Sequence, residues 1–142
     1  MIILDTNVIS ELTRQLPDPG VISWLDSLPA GETAITAITA AELLYGVRRL
    51  PDSRRKTGLS EAIHALINTD FRDQAEPFDV LAADQYADVV TERERAGHPI
   101  STSDAQIAAI CRALNATLAT RNTSDFTGTG VSLINPWKAA QG

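Results

Sequence analysis

The chain has 142 residues, 44% of them hydrophobic, which is enough to bury one core without disulfide or metal staples. Its net charge of −6, from 18 acidic and 12 basic side chains, excludes a protein coated in positive charge for nucleic acid but leaves room for a local basic patch. No run approaches the roughly 20 apolar residues of a membrane span, and the MIILDTN start lacks the basic opening and longer apolar stretch of a secretory leader. The lone Cys111 has no internal disulfide partner, so a reducing cytoplasm is expected.

Short β-like runs alternate with helical patterns along the whole chain, which predicts an α/β fold with a mainly parallel sheet in one domain over residues 1–142. Ile2-Ile3-Leu4 reads as a buried first strand. Val8, Ile9, Leu12 and Leu16 have helical spacing, and Pro17 and Pro19 stop that helix. Val21, Trp24, Leu25 and Leu28 mark a second short helix. Thr33 to Thr36 reads as the second strand, and a helix starting at Thr39 carries Leu43, Val47 and Leu50 until Pro51. A longer helix is predicted from about Ser53 to Thr69, then a short third strand over Pro77 to Val80, then a helix from Leu81 to Ala96. Thr102 to Leu114 has the clearest helical period, with Ile107, Ile110, Cys111 and Leu114 on one stripe and Asn115 as C-cap. Thr117 to Thr120 and Val131 to Ile134 read as the last two strands.

Ligands of open parallel sheets bind at the carboxyl ends of the strands. Asp5 follows the first strand, and Asp125 lies in the loop after the fourth. Glu42 and Asp104 each fall in the predicted first turn of a helix. Each acid also has a structural reading. Thr39-Ala40-Ala41-Glu42 matches a capping box, Asp104 suits a helix N-terminus, and Asp5 suits an N-cap. Asp104, however, lies within about 20° of Cys111 on the helical wheel, on the core-facing stripe, where a carboxylate needs compensation.

Taken jointly, the four acids predict an ion site. Carboxylates roughly 4 Å apart repel by about 4 kcal/mol at an effective dielectric near 20, so such a cluster needs protons or a divalent cation. All-oxygen ligation suits Mg²⁺ or Mn²⁺. Cys111 lies inside a helix stripe and His64 and His98 have no ligand spacing, which argues against zinc.

LDTNVIS at the start, AITAAEL around Glu42, ISTSDAQIAA around Asp104, LATRNTSDF around Asp125 and the closing NPW together resemble VapC-like toxins of the PIN-domain family, closest to its FitB-like branch. The likeness runs from Ile2 to Trp137. It implies a three-layer α/β/α sandwich and an RNA endonuclease working with Mg²⁺ or Mn²⁺, usually the toxin of a toxin–antitoxin pair. It also implies a homodimer and a cognate antitoxin that covers the acidic groove. The family's metal-site acids map onto Asp5, Glu42, Asp104 and Asp125, with Thr6, Thr120 and Asn122 at flanking polar positions. The FitB-like branch tends to carry an acid at the position of Asn122, whereas this chain has its acid at Asp125, as many VapC relatives do.

RNA needs positive charge to approach an acidic centre. Arg48, Arg49, Arg54, Arg55, Lys56 and Arg121 are the candidates; the first five also read as a solvated helix end. Two rival readings are open to the same acids. A receiver or haloacid-type phosphatase fits poorly, because the start is Asp5-Thr6-Asn7 and the only lysines are Lys56 and Lys138. A metal-binding interaction module or degenerate nuclease without turnover is the other.

Overall fold

The computed structural model describes residues 1–139; residues 140–142 of the expected domain lie outside the described residues. In chain order the elements are β1 (Ile2–Leu4), α1 (Thr6–Leu12), α2 (Pro19–Asp26), β2 (Thr33–Thr36), α3 (Ala37–Arg48), α4 (Arg54–Ala65), β3 (Ala75–Glu76), α5 (Val80–Arg95), α6 (Thr102–Leu114), β4 (Thr117–Ala119), β5 (Leu133–Ile134) and α7 (Pro136–Ala139). A wider π turn, Leu66–Asp70, extends α4, and a 3₁₀ turn, Thr123–Phe126, follows β4.

The strands form one parallel sheet in the order β3-β2-β1-β4-β5. Successive strand residues face opposite sides, and both sides are covered, so the strands read as continuous apolar runs. Leu4, Ile35 and Ala119 pack on one face with α1 to α4, around Val8, Ile9, Leu43 and Ile63. Ile3, Ala34 and Leu118 pack on the other with α5 and α6, around Val89, Ala105, Ile107 and Cys111. The register explains this sorting: Ile3 lies beside Ala34 and Leu118, and Leu4 beside Ala119. The three-layer α/β/α sandwich is therefore as expected.

Four local expectations are corrected. α1 ends at Leu12 and does not reach Leu16, which is 86% exposed. The buried Glu11 carboxylate accepts the Asp18 amide at 3.0 Å and Arg14 Nη1 at 3.1 Å, turning the chain before the prolines. α3 begins at Ala37 with Thr36 as its cap, whose hydroxyl accepts the Thr39 amide at 3.0 Å. Glu42 is thus a turn further in, and the capping box does not form. The third strand is Ala75–Glu76, two residues before the predicted span, because its ladder to Ile35 and Thr36 ends at Pro77, which has no N–H. Val80 instead opens α5, capped by Asp79, and is exposed. α6 occupies the predicted span, with Asn115 left-handed at φ 53 as its C-cap.

Candidate active site

The strand order places β1 and β4 side by side although their crossovers leave in opposite directions, so a crevice opens beyond their carboxyl ends. A cleft of about 540 Å³ lies there, with Asp5, Glu42 and Asp104 in its wall.

Asp5 is 5% exposed and caps α1: its Oδ1 accepts the Thr6 amide at 2.8 Å. Its Oδ2 accepts the Thr120 hydroxyl at 2.7 Å. Thr120, fully buried after β4, has its oxygen filled from the other side by the Asn122 amide at 3.1 Å and Asn7 Nδ2 at 3.3 Å. Asn7 Oδ1 in turn accepts the Arg121 amide at 3.2 Å. Asp5 is therefore locked between the ends of two adjacent strands. Burial pushes its carboxyl above the usual range; the Thr120 and Thr6 hydrogen bonds oppose the shift, and the charges of Glu42 and Asp125 add to it.

Glu42 reaches the cleft from the exposed side of α3, its Oε1 accepting the Thr6 hydroxyl at 2.9 Å. Thr39 Oγ1 is 3.0 Å from the same hydroxyl. Asp104 sits in the first turn of α6, where its amide donates to Ser101 Oγ at 3.3 Å. Its carboxyl is also raised, first by burial and then by Asp5 and Asp125, with Ser101 and Arg93 opposing. Asp125 is exposed on the 3₁₀ turn and lies outside the cleft wall, though its charge is felt by both Asp5 and Asp104.

The four acids are thus electrostatically coupled but open. Among the described residues, no group of three or more His, Cys, Asp or Glu side chains is arranged to hold a metal ion. By donor chemistry they fit a hard divalent cation: the donors are carboxylate oxygens, and the two most enclosed acids have pKa values raised first by burial and further by the neighbouring carboxylates. Cys111 offers no competing thiolate, because burial and the nearby Asp5 push its thiol up to about 12.

The structure divides the basic candidates. Arg121 lines the cleft with its guanidinium carbon 5.0 Å from the centre of the Trp137 ring, and Asn122 lines it beside Arg121. Arg48 and Arg49 do not line it; Arg49 stacks on Tyr45 at 5.8 Å, and Lys56 bonds Asp52 and the Arg48 carbonyl. Sequence reasoning missed Arg14 and Glu11, which also line the cleft, and Arg93, buried behind the Asp125 turn. An apolar-stripe search passes over all three, and only the carboxylate at Glu11 on the buried side of α1 was a signal of any kind.

A parallel α/β/α sandwich with Asp5, Glu42 and Asp104 lining one cleft beyond β1 and β4 defines the class of fold. The PIN domain family model matches residues 2–129, and the chain belongs to the PIN domain family. It is 37% identical over 140 residues to "VapC ribonuclease Y4jK" of Sinorhizobium fredii, covering 99% of this chain and all of that protein. It is 39% identical over 137 residues to "Toxin FitB" of Neisseria gonorrhoeae, covering 96% and 99%. The solved structure "FitAcB from Neisseria gonorrhoeae" superposes with a TM-score of 0.90 at 39% identity, over 96% of this chain and 99% of that one.

Proposed function

We propose that the chain is a divalent-metal-dependent endoribonuclease and the toxin of a toxin–antitoxin pair, formed by a single nuclease domain over residues 1–142. The observation that carries this reading is the pairing of Asp5 and Asp104, drawn from different elements into one cleft and both with raised pKa values, in a chain 37% identical to a protein called a ribonuclease.

Asp5 and Asp104 would hold Mg²⁺ or Mn²⁺, assisted by Glu42 or Asp125. When bound, the ion supplies a water of lowered pKa and neutralises charge on the attacked phosphate. The chain's own groups set the geometry. Thr120 and the Thr6 amide fix both oxygens of Asp5. Thr6 orients Glu42, and Asn7 ties the α1 start to the Arg121–Asn122 segment. Arg121, held against Trp137, and Arg14 provide positive charge beside the acids and would receive the RNA backbone. Arg48 and Arg49 would act only on RNA that runs beyond the cleft. In the hydrolysis, the water oxygen forms a bond to phosphorus as the bond to the leaving oxygen breaks, and the proton released ends on that oxygen.

The same reading includes a homodimer, a cognate antitoxin that covers the cleft, and a cytoplasmic location. The names "Toxin FitB" and "FitAcB" support a toxin that works with a partner. Among the described residues no helix is long and apolar enough to cross a membrane. The test is cleavage of a mixed RNA pool by purified protein with Mg²⁺, Mn²⁺ or EDTA. Metal-dependent cleavage lost in Asp104→Asn supports the reading. Metal binding without cleavage in any condition would favour the interaction module, which the open arrangement of the acids otherwise leaves as the rival.

A further inference from the structure

Arg93 is a cation that the proposed chemistry does not use, yet it is only 9% exposed and, among the described residues, forms no ion pair. A buried charge needs compensation. Here every hydrogen bond goes to a backbone carbonyl, while the charge also acts at longer range on Asp104. Nε donates to the His98 carbonyl at 2.6 Å, and Nη1 donates to the Asp125 carbonyl at 2.9 Å and the Thr127 carbonyl at 2.8 Å. One of these three acceptors lies in the turn that carries Asp125 and another, Thr127, caps its end. The Asp125 carboxylate, by contrast, is exposed and has no hydrogen-bond partner among the described residues. Its placement relative to Asp5 and Asp104, both of which feel its charge, is therefore set by its backbone, and α5 holds that backbone through Arg93.

The neighbouring segment fits this arrangement. Phe126, 1% exposed, anchors the turn from the core side, and the Thr129 hydroxyl closes on the Phe126 carbonyl at 2.6 Å. Gly128 passes the Arg93 stem at φ +77, and Gly130 passes Arg112 at φ +79; Arg112 Nη1 donates to the Thr129 carbonyl at 3.3 Å. Two arginines from adjacent helices thus strap one loop by its carbonyls. Only Arg93 reaches the residue that bears the acid.

We propose that Arg93 is a positioning residue that sets the Asp125 carboxylate relative to the cleft, and so tunes the affinity of the acidic centre for a divalent cation. This rests on the nuclease reading above. Replacing partners that orient ligands costs about 10–100-fold in metal affinity.

The test is a double-mutant cycle on Mn²⁺ binding to the full chain, read by titration calorimetry without RNA, using wild type, Arg93→Lys, Asp125→Ala and the double variant. Lysine keeps the charge but not the forked donors. Arg93→Lys should weaken Mn²⁺ about tenfold, and the double variant should bind no more weakly than Asp125→Ala alone. Hydrogen exchange should quicken at the Asp125, Thr127 and Thr129 amides and stay unchanged in β1 and β4. Additive losses, wild-type affinity in Arg93→Lys, or loss of protection throughout the chain would each overturn the proposal. If Arg93→Lys does not fold, Gly128→Ala strains the same strap with Arg93 intact, and its loss of affinity should likewise vanish in the Asp125→Ala background. Wild-type affinity in Gly128→Ala overturns the proposal. Asp5→Asn separates the two levels: if it abolishes Mn²⁺ binding while Asp125→Ala leaves it unchanged, the positioning role fails and the nuclease reading stands. If Asp5→Asn binds Mn²⁺ as wild type does, both fail.

Discussion

Asp104 is held in the folded chain by burial and by the charges of Asp5 and Asp125, all of which favour its protonated form. Its folded carboxyl therefore binds a proton more tightly than the unfolded one. Between the ordinary aspartate value of 3.8 and the raised folded value, the native state holds more protons than the unfolded state, so stability falls as pH rises through that window. Asp104→Asn should make the metal-free protein more stable at neutral pH, by a few degrees in Tm, and flatten this decline; thermal unfolding between pH 4 and 8 with EDTA checks it. An equally steep decline in the variant would refute the account. Asp5→Asn should gain less, although its pKa is also raised. The new amide would face Thr120 Oγ1, which already accepts from Asn7 and Asn122, so two donors would meet. Thr120 itself is the tighter constraint: Thr120→Val removes a donor and an acceptor at a buried position and should cost about 2 kcal/mol in urea unfolding, with Thr120→Ser close to wild type.

At the level of elements, α3 separates two roles that its sequence merges. Thr36 caps the helix, and Glu42 serves the cleft through Thr6. Thr36→Ala should cost roughly 1 kcal/mol of stability, the usual cost of losing a cap hydroxyl. Glu42→Ala should leave the melting temperature nearly unchanged, since alanine is a good helix former, while lowering RNA cleavage. A capping role for Glu42 would produce the reverse pattern, with stability falling and cleavage kept. α6 carries a different lesson. Asp104 lies on the same stripe as Cys111 because α6 packs that stripe on the sheet, and its first turn emerges at the cleft.

For the whole molecule, two covered sheet faces leave Met1, Leu16, Tyr45, Val80, Leu81 and Leu114 as large exposed apolar side chains among the described residues. The proposed homodimer and antitoxin complex predict that light scattering at micromolar concentration gives a dimer mass, and that adding the cognate antitoxin stops cleavage. A monomer mass, or undiminished cleavage in the complex, would count against that assembly. Cys111 reports on the intact fold: fully buried, with its pKa pushed up to about 12, it should react with a thiol reagent only as fast as the chain unfolds. Rapid labelling of the native protein would contradict this packing.

Features that depend on short-range pattern are legible in the chain alone. The apolar runs of β1, β2 and β4, the helical stripe of α6 with its Asn115 cap, and the position of an acid after the first strand are all consequences of side-chain period and local backbone preference. The remaining features depend on partners that are distant in the chain. Asp5 and Thr120 meet across 115 residues, and Arg93 reaches Asp125 across 32. β3 exists at Ala75–Glu76 only because β2 is there to pair with it, and α3 starts at Ala37 because Thr36, at the end of a paired strand, is already in place to cap it. Arg121 joins the cleft and Arg48 and Arg49 do not, because Arg121 follows β4 at the β1/β4 crevice while Arg48 and Arg49 close α3 away from it, a distinction not set by charge spacing. Hydrogen bonds and packing between remote segments leave no periodic trace in a single chain, so only the folded arrangement shows which of these residues meet.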